Sequence, residues 1–116
     1  MSPISMTLLV CLASLAMATD KVTFDEHVFP IFERSCLNCH NPEKTRGGLD
    51  LSSYRGTLKG SSGGKIVEAG ELSSSLITVV RHQGEPVMPP EGDAIPNEEI
   101  TVLEAWIQGG LLENNS

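Results

Sequence analysis

Aromatic side chains are scarce in this chain of 116 residues, which has three Phe, one Tyr and one Trp. That excludes an aromatic-rich core, and a small domain of this kind needs a disulfide, a metal or a cofactor to supplement what it buries. Basic residues are also few. Eight Lys and Arg against fifteen Asp and Glu give a formal net charge of −7, which excludes a phosphate-backbone binder, so no nucleic acid is expected as partner. Long apolar runs are missing: the stretch from Ile4 to Ala18 falls short of the roughly 20 residues that span a bilayer. No stable membrane span is therefore expected. Alternating patterns of strand length are absent too, as are internal repeats and long low-complexity segments.

The apolar stretch at the amino end closes on Ala16-Met17-Ala18, a small-x-small pattern, and no charged side chain precedes Asp20. It reads as a secretory signal over residues 1–18, despite an n-region without Lys or Arg. Residues 19–116 then form a single small domain, exported to the periplasm or another extracytoplasmic space. Cys11, preceded by Val10 rather than by a small residue, is read as part of the signal and not as a lipidation site.

Cleavage after Ala18 leaves only Cys36 and Cys39 of the three cysteines. They stand in the run Cys36-Leu37-Asn38-Cys39-His40, the spacing at which two thiols add to the vinyl groups of one haem while the following imidazole binds its iron. Alone, the run also suits a thioredoxin-like redox pair or half of a zinc site. A disulfide across two residues would close almost no chain and stabilise little. No second cysteine pair completes a set of four zinc ligands. Covalent haem c, one per chain, explains the pair better, and a buried haem would supply the missing apolar surface.

Four helical segments, punctuated by Gly and Pro, are expected. Thr23-Phe24-Asp25-Glu26 makes a capping box, after which Phe24, Val28 and Ile31 recur at helical spacing and Pro30 predicts a kink or a restarted turn. Asn41-Pro42 and Gly47-Gly48 mark a loop before a short helix around Ser52 to Leu58. Serines 73 to 75 can cap a third helix, with Leu76, Ile77 and Val80 on one face, that ends before Gly84-Glu85-Pro86. A last helix runs from Pro96 or Asn97 to Gln108, burying Ile100, Leu103, Trp106 and Ile107, with Gly109-Gly110 ending it.

His40 is the expected proximal iron ligand, its other ring nitrogen donating to a carbonyl such as that of Pro42 or to water. The cleavage that removes Met1, Met6 and Met17 leaves Met88 as the sole methionine, in a loop stiffened by Pro89-Pro90. Its thioether suits both iron oxidation states and is the expected distal ligand. His82, six residues earlier, is the rival, and His27 a more distant one. Each is read first as an exposed helix residue. Tyr54, Arg46, Arg55, Lys65 and Arg81 are five candidates to hold two haem propionates.

The motif from Cys36 to His40, then Gly47-Gly48-Leu49-Asp50-Leu51, Ser75-Leu76, Met88-Pro89-Pro90, Glu98-Glu99-Ile100 and Trp106-Ile107 together resemble a class I cytochrome c, and more narrowly the cytochrome c domains abundant in planctomycetes. The resemblance covers about residues 22 to 111. It implies an all-α fold of about four helices around one covalently bound haem, thioethers on Cys36 and Cys39, His40 and Met88 as axial ligands, and Trp106 packed where the first and last helices cross. Ala69 and Leu72 stand where such domains often carry prolines.

With both axial positions filled by protein, an electron carrier rather than an enzyme is expected, handing single electrons between redox partners. Acidic side chains would help to dock a partner with a basic surface, and a chain of this size around one haem is expected to be monomeric. The alternative is a peroxidase-like enzyme, or a gas or redox sensor, with an open or labile sixth position and His82 as distal acid/base. A zinc or disulfide module is the third reading.

Overall fold

Thr23 sets the start of the fold in the computed structural model, which describes residues 21–116; the expected signal over 1–18 lies outside the described residues. The Thr23 Oγ1 accepts the Glu26 N–H at 3.2 Å, as the capping box requires. Its reciprocal half is different from expectation, because the Thr23 N–H donates to His27 Nδ1 at 2.9 Å. His27 is thus a half-buried capping residue and not an exposed one. A wide π-helical turn, Phe24–Val28, follows, and α1, Phe29–Ser35, restarts with Pro30 in its first turn. Pro there loses nothing, since the first N–H groups of a helix have no intrahelical partner.

Past α1 the chain makes a two-residue antiparallel pair, β1 (His40–Asn41) with β2 (Lys44–Thr45). This strand content departs from the all-α expectation. Its cause is local: the Asn41 Oδ1 accepts the N–H groups of both Glu43 and Lys44 at 2.9 Å, folding the chain back over Pro42 in an Asx turn. α2, Tyr54–Lys59, is capped by Ser53, whose Oγ accepts the Gly56 N–H at 2.9 Å. α3, Ser75–Val80, buries Leu76, Ile77 and Val80 as expected. The hydroxyl of Ser74, its N-cap residue, does not cap it, donating instead to Glu71 O at 2.6 Å and accepting the Glu68 N–H at 3.0 Å. α4, Asn97–Gln108, opens on Glu98 and Glu99 and buries Ile100, Leu103, Trp106 and Ile107.

The core gathers around Phe24, whose ring lies 5.7 to 6.1 Å from those of Phe29, Phe32, Tyr54 and Trp106. These spacings are those at which aromatic pairs attract edge to face or tilted. Trp106 is fully buried, and its indole donates to Leu112 O at 2.9 Å, the carbonyl that also accepts the Phe24 N–H at 2.8 Å. One carbonyl therefore ties the first helical turn to the last helix. Arg34 on α1 pairs with Glu99 on α4 at 2.6 Å, a second tie between the same ends. Among the described residues no helix is long and apolar enough to cross a membrane.

Candidate functional site

Helix α1 stops at Cys36, whose N–H closes the last turn on Phe32 O at 2.8 Å. The next turn is tight: Cys39 and His40 both donate their N–H to Cys36 O at 3.2 Å. The two thiols are free and half-buried, and burial, with a smaller push from the Glu99 carboxylate, raises the Cys36 thiol to about 11. His40 is buried. Its Nδ1 lies 3.0 Å from Arg46 O, and because a carbonyl only accepts, the proton belongs on Nδ1. That leaves the Nε2 lone pair as the ligating one. The expected backbone partner at Pro42 is thus replaced by Arg46, brought into place as the β1–β2 hairpin returns the chain and Arg46 N–H donates to Cys39 O at 3.1 Å.

Cys36, His40 and Met88 line one cavity of about 420 Å³, whose walls include Leu49, Leu51, Leu76 and Val79. A smaller adjoining space of about 200 Å³ shares Cys36, His40, Val80 and Met88 and adds Cys39, Pro89 and Pro90. A larger, more open hollow of about 670 Å³ between α2 and Glu113 holds none of the motif residues. The main cavity falls within the size range of cofactor sites, and its apolar walls with few polar groups are typical of them.

These residues fit a haem: the Cys36 thiol at the main cavity and Cys39 at the adjoining one, an imidazole fixed by its far nitrogen, and Met88 lining both spaces. They fit a zinc ion poorly, since among the described residues no three His, Cys, Asp or Glu side chains gather at one point. Of the five candidate propionate partners only Arg46 lines the cavity. Tyr54 donates its hydroxyl to Leu111 O at 2.6 Å, Arg81 is paired with Glu104 at 2.6 Å, and Arg55 and Lys65 line hollows elsewhere.

Met88 is half-buried against the core, its N–H donating to Val79 O at 2.9 Å. His82 is not the exposed helix residue expected. It lies past the end of α3, half-buried, with its Nε2 3.2 Å from Met88 O, and it lines neither cavity. His27, committed to Thr23, lines neither as well.

A small helical domain with this cavity and this attachment run is a class I c-type cytochrome-like domain. Within that class, residues 36–92 match the family model described as Planctomycete cytochrome C. The matched stretch opens at Cys36 and closes just beyond Met88-Pro89-Pro90, so it contains every residue that lines the site from the motif and from the methionine loop. No curated protein and no solved structure shows significant similarity to the chain.

Proposed function

We propose that the chain is a monohaem c-type cytochrome that carries single electrons between redox proteins outside the cytoplasm. Bound there, haem c supplies an iron that takes up and gives up one electron at a time. Cys36 and Cys39 would hold the ring through thioethers, and His40 and Met88 would hold the iron. The observation that carries the reading is that His40 and Met88 line the same apolar cavity, with Nδ1 of His40 already committed to Arg46 O. A fixed imidazole and a backbone-held thioether need little rearrangement between oxidation states, which is what electron transfer asks of its ligands. The apolar walls would limit water around a bound haem.

A peroxidase-like activity needs a proton-transfer group over the iron, and His82, the candidate, turns to the Met88 carbonyl instead. Export is supported by the apolar stretch that closes on Ala16-Met17-Ala18 and by the use of unpaired cysteines in an attachment run. The partners fit redox proteins with basic surfaces, since the chain carries −7 and exposes Glu85, Glu91 and Asp93 on the segment around Met88.

The test is co-expression with haem-attachment machinery, followed by denaturing electrophoresis and mass measurement. The wild type is expected to retain one haem through denaturation, and a Cys36→Ser, Cys39→Ser double variant to lose it. A wild type that acquires no covalent haem would overturn the reading.

A further inference from the structure

Helix α3 ends at Arg81, and the chain reverses through His82 at φ +58, the left-handed region that among non-glycine residues Asn, Asp and His enter most readily. The ring's Nε2 is 3.2 Å from Met88 O, and the carbonyl being an acceptor, the ring is the donor. On the other side of the same residue, the Met88 N–H donates to Val79 O at 2.9 Å, and that carbonyl also takes the His82 N–H at 3.1 Å. Both backbone polar groups of Met88 are therefore held by the end of α3. That end is itself fixed, through the Arg81–Glu104 pair to α4 and through Gln83 N–H on Thr78 O at 3.0 Å.

We propose that His82 is a positioning residue for Met88: its ring, donating to the Met88 carbonyl, holds the thioether in the cavity and so keeps the sixth iron position closed. The inference rests on the reading of Met88 as an axial ligand. It reassigns His82 from rival ligand to the residue that maintains its competitor, because the ring cannot bind iron from a place outside both cavities while donating to Met88. The segment between the two, residues 83–87, is pinned at both ends, and its Glu85 and Pro86 line the main cavity.

The experiment is a titration of the haem-loaded ferric protein with imidazole, followed through loss of the sulfur-to-iron charge-transfer band, in the wild type, Met88→Ala, His82→Gly and His82→Gln. Glycine accepts the left-handed backbone and removes only the ring, while glutamine keeps an amide donor near the place of Nε2. His82→Gly is expected to bind imidazole about tenfold more tightly than the wild type, the worth of one net hydrogen bond. His82→Gln should lie closer to the wild type, and Met88→Ala should bind most tightly of all. His82→Gly matching the wild type while Met88→Ala binds tightly would overturn the positioning role and leave Met88 as ligand. Met88→Ala matching the wild type would overturn the ligand reading and the positioning role together. Should His82→Gly fail to load haem, His82→Asn carries the same test, since Asn also accepts positive φ and its side chain is shorter than the ring.

Discussion

Burial governs Cys36 before any cofactor is attached. The thiol stands at about 11, pushed up by desolvation and then by the Glu99 carboxylate, whereas an unfolded cysteine ionises near 8.5. An acid whose folded value lies above its unfolded one favours the folded state while both are protonated. That stability is whole below about pH 8.5 and is lost as pH rises through about 11, over a span of order 3 kcal/mol. Protein made without haem attachment and kept reduced should therefore lose denaturant resistance between pH 8.5 and about 11, and Cys36→Ala should lose distinctly less. Equal losses in the two proteins would show that Cys36 is not the group responsible. At this scale the attachment run was legible because thioether chemistry demands a fixed local spacing. The Arg46 carbonyl on His40 was not, since it depends on a hairpin whose turn is set by one asparagine side chain. The role of His82 was equally hidden, as both its φ and its partner follow from how α3 ends.

Among the elements, the contact of the first helical turn with α4 carries the most weight. Trp106 is fully buried, lies tilted against Phe24 with ring centroids 6.0 Å apart and shares the Leu112 carbonyl with it. Trp106→Ala is expected to cost about 3–5 kcal/mol, against about 1 kcal/mol for removing the Thr23 cap hydroxyl in Thr23→Val. Chemical denaturation of both variants checks the order, and a Trp106 loss no larger than that of Thr23 would contradict it. The face of α4 could be read from the spacing of Ile100, Leu103, Trp106 and Ile107, because a long amphipathic helix repeats its signal over several turns. Pro30 likewise announced the restart at α1, which follows from the ring alone. The two-residue strands repeat nothing, so no pattern could reveal them. Ser74 shows a different limit: it occupies the N-cap position, but the backbone of Glu71 and Glu68, three and six residues earlier in the preceding turn, claims its hydroxyl.

For the whole molecule, net charge and cavity bear on the same function. The formal charge of −7 gives a field that raises encounter rates with cations and falls away with salt. Reduction by a small cationic reagent should be faster at low salt than reduction by an anionic one of similar driving force. Changing Glu85, Glu91 and Asp93 to Lys should narrow that difference about tenfold. Rates indifferent to these charges would remove the docking role from that segment while leaving the carrier intact. The central claim is that His40 and Met88 close both faces of the iron, and it is tested most directly by the absorption spectrum of the dithionite-reduced, haem-loaded protein before and after carbon monoxide. A c-type spectrum that carbon monoxide leaves unmoved is the predicted result. A prompt shift would mean an open or labile sixth position, and the account of Met88 as a held ligand would be wrong.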